Sequence, residues 1–458
     1  MNTGVRRDPP VPGPGQPVAF PPVTRLTLAN GLAVWFVERR QLPFVSVSIL
    51  VPAGSSADPV EQPGVASLLA DMLDEGAGGR SAIEVQEAFG RLGTSIDTDA
   101  GFDGVLLSFA VLPRHAAEAC ALAADLLIRP RLGADDLDRV RTLRLNRLRQ
   151  LPNSAGALAD QAFGRAVFGD HPYGHQPWGL VRAIEQMRVE DLARLHGSTY
   201  RPSSCTMIVA GSLDQADVAH VAESAFGAWA APMAPDFRGD TIAAAVPALA
   251  APRLILVDRP GAAQTELRIG HLAVSRRTPD YHAMVLLNAI VGGQFVSRIN
   301  MNLREQKGYT YGAHTAFDLR RMAGSFVLQT SVQTDATADA VRESIAELTA
   351  IRRDRPPTAH EIEFGYATLT RGYARNFETT GQLARALGQL ALYDLPDHTF
   401  DRFVPDILAV RADQLAQAAE RHLRPEDLVV VAVGDRAKVE SGLARIGLGD
   451  PVVTTVEV

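Results

Sequence analysis

The stretch VEDLARLHGSTYRPSSCTMIVAGS, Val189 to Ser212, reads against ADQLAQAAERHLRPEDLVVVAVGD, Ala412 to Asp435, element for element. Each opens with an amphipathic helical pattern, turns at an Arg-Pro pair (Arg201–Pro202, Arg424–Pro425) and ends in an apolar run closed by Gly211 or Gly434. Proline behind a helical pattern enforces the stop, and the β-branched run after it predicts a strand. The two stretches lie 223 residues apart. Working outward, VSVSILVPAGS from Val45 pairs with TELRIGHLAVS from Thr265, and LLADMLDEG from Leu68 with VLLNAIVGG from Val285. HAAEACALAADLL from His115 likewise pairs with ATADAVRESIAEL from Ala336. A unit of about 200 residues occurring twice is a duplicated domain, because solenoid repeats are far shorter.

Each copy predicts strand, strand, helix, short helix, strand, strand, long helices, then a closing helix and strand. GLAVWFVE, FVSVSILV, GVLLSFAVL and CTMIVAG carry the β-branched and aromatic residues of strands. Strands grouped with helices, without strict alternation, predict the α+β class, with helices over one face of a mostly antiparallel sheet. The Pro- and Ala-rich piece APMAPDFRGDTIAAAVPALAAP has no period and predicts a linker at 231–251. The divisions are then a flexible, extended Pro-rich arm (1–22), a first domain (23–230), the linker, and a second domain (252–458).

The chain of 458 residues is too long for one ordinary core. Its 46% hydrophobic and 21% charged residues are a soluble globular balance, and a net charge of −7 argues against nucleic acid. No run reaches the roughly 18 apolar residues of a membrane span. The opening residues MNTGVRRDPPVPGPG have no apolar h-region, so no signal peptide is read there. The compartment stays open, the cytoplasm by default and the periplasm as the alternative. Two cysteines, Cys120 and Cys205, make neither a disulfide framework nor a metal site and read as buried structural thiols.

GVASLLADMLDEGA, Gly64 to Ala77, has the outline of a metallopeptidase helix. Val65, Leu68, Leu69, Met72 and Leu73 form one helical stripe, and Ser67, Ala70, Asp71 and Asp74 form another. In the inverted zinc-peptidase motif H-x-x-E-H, two His hold zinc and the Glu is the general base. Those places fall on Ser67, Ala70 and Asp71. A hydroxyl, a methyl and one carboxylate do not hold zinc, so no metal is expected in this chain. His171 and His175 sit in a Pro-Gly turn and not on a helix, which argues against a metal pair. No G-x-S-x-G elbow, P-loop or dinucleotide fingerprint is present.

LTLANGLAVWFVE (Leu26 to Glu38), VPAGSSADPVEQPGVASLLADML (Val51 to Leu73), FGDHPYGHQPWG (Phe168 to Gly179) and GGQFVSRINMNLREQKGYTYGAHTAF (Gly292 to Phe317) together resemble the pitrilysin and insulinase-type zinc peptidases. The likeness is to the short two-domain subunits related to the mitochondrial processing peptidase, and it covers nearly the whole chain. It implies two homologous α/β-roll halves in a clamshell arrangement. It also implies a third zinc ligand, a Glu on a later helix. Counted from Asp71, that place falls at Asn146 or Arg147 in TLRLNRLRQ, where there is no acid.

The resemblance further implies an Arg and a Tyr seven residues apart in the second half, here Arg304 and Tyr311, which in related enzymes hydrogen-bond the substrate carbonyl and its developing oxyanion. Without it, Arg304 would be a solvated helix residue and Tyr311 a strand residue with one wet edge. Tyr309 competes with Tyr311, because alternate residues of a regular strand share a face. Gly292 and Gly293 read plainly as a helix stop and turn, and by resemblance as a substrate-binding loop.

Two functions follow from the resemblance. In the first, the chain is the non-metal-binding subunit of a heterodimeric zinc metallopeptidase. A homologous partner with an intact H-x-x-E-H brings the zinc, and peptides or unfolded proteins are the substrates. In the second, it is a catalytically inactive peptidase-like scaffold or peptide-binding protein, alone or as a homodimer.

Overall fold

A computed structural model describes residues 18–230 and 253–455. The linker read at 231–251, and the arm up to residue 17, lie outside the described residues. Phe20, inside the stretch read as an extended arm, is buried against Phe377 and Phe400, and its N–H donates to Asp401 Oδ1 at 2.5 Å. An aromatic ring has enough apolar surface to dock a chain whose prolines resist regular structure.

The strands are β1 (Thr24–Thr27), β2 (Ala33–Glu38), β3 (Val45–Val51), β4 (Gly76–Ala77), β5 (Arg80–Ser81), β6 (Asp97–Ala100), β7 (Val105–Val111), β8 (Thr206–Gly211), β9 (Leu254–Asp258), β10 (Gln264–Ala273), β11 (Thr310–Leu319), β12 (Gly324–Gln333), β13 (Val429–Gly434) and β14 (Val452–Thr454). The first sheet is ordered β1-β2-β8-β3-β7-β6 and the second β14-β9-β13-β10-β12-β11. From β2 and β9 onward the two orders correspond strand for strand, which is the duplication seen in three dimensions. The outermost strand beside them differs in origin, since β1 precedes its sheet in the chain and β14 follows its own. In the first sheet only β2 and β8 run parallel; in the second, β9 is parallel to both neighbours. The class is α+β with mixed sheets, and β4 and β5 form a separate small ribbon.

Both sheets are covered on both faces. In β13, Val430 and Ala432 point into a core with Leu286, Leu287, Ile290 and Leu415, from helices Tyr281–Val291 and Ala412–His422. Val429, Val431 and Val433 point the other way, into a core with Leu158, Ala162, Phe163 and Val167. These come from helix Ala155–Phe168, which belongs by sequence to the first half. The first sheet is treated reciprocally. Val37, Leu50, Ile208 and Ala210 pack against Leu383, Ala384, Leu387 and Leu390 of helix Thr380–Tyr393, from the second half. Period-two alternation with apolar residues at every position requires two apolar covers, and each half borrows one from the other.

Capping sets the start of both exchanged helices. Ser154 Oγ accepts from Ala157 N at 3.3 Å. Thr379 Oγ1 accepts from Gln382 N at 3.2 Å while Gln382 Oε1 accepts from Thr379 N at 2.9 Å, a reciprocal capping box.

Polar contacts stitch the halves further. Arg268 Nε donates to Asp160 Oδ1 at 2.6 Å, and Ser46 Oγ meets Thr380 Oγ1 at 2.8 Å. Asp103, in the β6–β7 turn, accepts from Tyr173 Oη and, at 2.9 Å, from Arg321 N in the β11–β12 turn. Arg320 lies 3.4 Å above the Phe102 ring. Burial holds the Asp103 carboxyl above its usual range, with the Tyr173 hydrogen bond opposing.

The Arg-Pro turn of the second half is anchored by a histidine. His271 Nε2 accepts from Arg424 N at 3.1 Å and its Nδ1 faces Leu272 O at 2.9 Å, so the ring is held as the neutral Nδ1–H tautomer. Burial pushes its pKa down to about 4. A folded-state value below the unfolded one gives stability that is complete above about pH 6.5 and is lost as pH falls toward 4. The expected slope approaches about 1.4 kcal/mol per pH unit from this residue within that window. Denaturant unfolding of wild type and His271→Gln at several pH values checks it, the variant being expected to show the shallower acid limb.

Candidate functional site

Helix Val65–Met72 is placed by two features of the chain around it. Its N-cap, Gly64, has φ 98°, and a Cβ there would meet Gly179 Cα at 2.6 Å, so only glycine fits both the backbone and the contact. Asp58 caps it, Oδ2 accepting from Gly64 N at 2.6 Å and Oδ1 from Ala66 N at 2.9 Å. His175 Nε2 lies 3.3 Å from Asp58 Oδ2. Burial pushes the Asp58 carboxyl up to about 8, against the hydrogen bonds from Gly64 N and Ala66 N, and the His175 imidazole down to about 4. His171 Nδ1 accepts from Tyr173 N at 3.1 Å. The two histidines of the HPYGH turn therefore serve a turn and a cap.

Ser67, Ala70 and Asp71 share the face that meets helix Ala134–Gln150. The group facing them from that helix is Arg144. Its Nη1 donates to Ser67 Oγ at 2.9 Å and to Trp178 O at 3.2 Å, and its Nη2 donates to Ser67 O at 3.4 Å and to the Asp71 carboxylate. The Arg144 side chain is 6% exposed and that of Asp71 35%. The residue count along the chain pointed to Asn146 or Arg147, but both are exposed. The long arginine side chain reaches the spot from nearly a turn earlier.

A guanidinium at this place does not fit a zinc ion beside it, and neither do Ser67 and Ala70 as ligands. Among the described residues, no group of three or more His, Cys, Asp or Glu could hold a metal. Cys120 and Cys205 are buried, and burial pushes each thiol up to about 12.

In the second half, helix Tyr281–Val291 stops at Gly292. A Cβ on Gly292 would lie 2.5 Å from the Thr315 side chain, and one on Gly293 2.5 Å from Asn288 Nδ2. Close approach, not a left-handed backbone, is what these two glycines supply. The loop leaves Phe295 and Val296 exposed. Arg304 lies in a π-helical turn, Met301–Gln306. Its guanidinium stacks 4.0 Å from the Phe295 ring centre. Its Nη1 is 3.1 Å from Glu305 Oε1, off the hydrogen-bonding direction, and has no hydrogen-bond acceptor among the described residues.

Tyr311 is 91% exposed. The β11–β12 register breaks between Thr310 and Ala313, a bulge that throws Tyr311 outward. Asn300 pins this bulge. Its Oδ1 accepts from Ala313 N at 2.8 Å and its Nδ2 donates to Ala313 O at 2.6 Å, standing in for a neighbouring strand. The same Nδ2 reaches Gln294 O and Ser297 Oγ, tying the Phe295 loop to the bulge. Tyr309 precedes β11 and is half-buried against the second core. The expectation that Tyr309 and Tyr311 share a strand face is corrected: the irregular register separates them.

No hydrogen bond or ion pair joins Arg304 or Tyr311 to Ser67, Ala70 or Asp71. Asn300, Phe295 and Arg144 were missed in the sequence. A buried asparagine in the apolar-patterned SRINMNL was the one available signal.

Two family profiles match the chain. "Insulinase (Peptidase family M16)" covers residues 34–174 and "Peptidase M16 inactive domain" covers 186–366. The chain belongs to the insulinase peptidase family. An uncharacterized zinc protease of Mycobacterium bovis is 26% identical over 415 residues, 90% of this chain and 92% of that protein. A probable mitochondrial-processing peptidase subunit beta of Schizosaccharomyces pombe is 22% identical over 444 residues, 91% and 92%. The crystal structure of a peptidase M16 inactive domain from Pseudomonas fluorescens superposes with a TM-score of 0.82 at 25% identity, covering 90% of this chain and 98% of that one. The chain has the scaffold of a peptidase of this family.

Proposed function

We propose that this chain is the non-metal-binding subunit of a heterodimeric zinc metallopeptidase acting on peptides or unfolded proteins. A homologous subunit with an intact H-x-x-E-H would supply the zinc and the general base. The observation that carries the reading is Tyr311: an exposed phenol, held out by a bulge that Asn300 pins, with no hydrogen-bond partner among the described residues.

In this reading Tyr311 Oη and the Arg304 guanidinium donate hydrogen bonds to the scissile carbonyl of a peptide. That oxygen gains negative charge when the carbonyl is attacked, so donors aimed at it bind the transition state more strongly than the substrate. Phe295 holds the guanidinium flat. Gly292 and Gly293 keep their loop tight against Asn288 and Thr315, where it would line the peptide.

A second reading, the inactive scaffold or peptide-binding protein, is favoured by one observation, the closure of the first half's degenerate site by Arg144. Mixing the purified chain with its H-x-x-E-H homologue from the same genome separates the two. The expected result is a 1:1 complex by size exclusion with light scattering, and peptide cleavage by the mixture that exceeds either chain alone. A self-associated chain that neither binds the homologue nor raises its cleavage rate would favour the scaffold.

A further inference from the structure

We infer that the Arg144 guanidinium takes the metal's place in the first half, as a tethered cation that ties helix Val65–Met72 to helix Ala134–Gln150. This does not depend on the heterodimer reading. Arg144 differs in kind from most ion-paired arginines here. Arg129, paired with Asp125, is 67% exposed, and such surface pairs contribute little. Arg144 is nearly buried and bridges three segments: Ser67 and Asp71 on one helix, its own helix, and the Trp178 carbonyl. A buried cation persists only where a counter-charge and acceptors surround it. Asp71 is the counter-charge, and the Ser67 hydroxyl, Ser67 carbonyl and Trp178 carbonyl are the acceptors.

The polarity of an H-x-x-E-H site is thereby reversed. There, by resemblance, imidazoles on the first helix and a carboxylate on the second surround a free cation. Here the carboxylate is on the first helix and the cation is covalently part of the second. Guanidinium and metal are mutually exclusive, because two cations a few ångströms apart repel strongly in a water-poor site.

The test uses zinc itself as the probe on the full-length chain. In the background Ser67→His, Ala70→Glu, Asp71→His, zinc affinity is measured by competition with a chromogenic chelator. Adding Arg144→Gln is expected to tighten zinc binding by at least about 10-fold, while adding Arg147→Gln changes it less than about 2-fold. Tight zinc binding with Arg144 intact, or an equal gain from Arg147→Gln, would overturn the inference.

A second measurement stands if that background does not fold. In the otherwise native chain, Arg144→Gln is expected to lower Tm by about 5 °C or more, since Asp71 is left unpaired. Asp71→Asn should then recover part of that loss. Additive effects of the two changes would mean that the guanidinium and Asp71 are not coupled, and would sink the idea.

Discussion

In a verified complex with an H-x-x-E-H partner, Arg304→Ala and Tyr311→Phe are each expected to lower kcat by about 10²–10³, equivalent to about 3–4 kcal/mol of transition-state stabilisation. Assembly and zinc content of the complex should not change. Tyr311 is 91% exposed and its hydroxyl bonds nothing among the described residues, so it can be removed without disturbing the fold. Arg304 is held by stacking on Phe295 beside the turn that carries it, so truncation should leave the bulge intact. A contact made only in the transition state shows in kcat; one that also holds the ground-state carbonyl raises KM as well. Tyr309→Phe is the internal control and should be nearly silent, since that ring packs against the core. Full activity of both variants in the complex would leave this chain with no part in the chemistry and the scaffold reading in force.

Leu387→Ala is expected to cost about 2–5 kcal/mol of folding stability. The side chain is wholly buried, among Val37, Leu50, Ile208 and Ala210 of the opposite half's sheet. Because the helix belongs to one half by sequence and to the other by packing, its loosening should lower both together. Calorimetry is expected to give one transition, displaced to lower temperature. Two resolved transitions, only one of them displaced, would show that the halves melt independently.

The parts of the fold legible in the sequence were those set by local chemistry. The Arg-Pro turns and the runs CTMIVAG and VVVAVG became β8 and β13 because proline stops a helix and an uninterrupted apolar run demands burial on both faces. What the sequence left unspoken was the owner of the second cover. The stretch around Phe163 announces a helix with an apolar face, but nothing in its period says that the face meets β13 rather than a nearer strand.

The candidate site divides in the same way. The resemblance to the peptidase family singled out Arg304 and Tyr311, whereas the argument from regular alternation put Tyr309 beside Tyr311. The bulge that separates them is made by Asn300 bonding Ala313, a contact between an asparagine side chain and a distant backbone that no periodicity encodes. Arg144 escaped for a related reason. Counting residues locates a Cα, while a flexible four-bond side chain delivers its charge nearly a turn away.

The trading of helices between the two sheets makes each half, taken by itself, an unfinished object. Cut apart, the first piece would show water the bare face of β8 and the second the bare face of β13, each while carrying a loose apolar helix that fits only the other. Two separate copies of one half could meet the same need by swapping that helix between them. The present chain has the arrangement of such a swapped pair written end to end, one half with the outline of a metal helix and the other with the loop that carries the arginine and tyrosine.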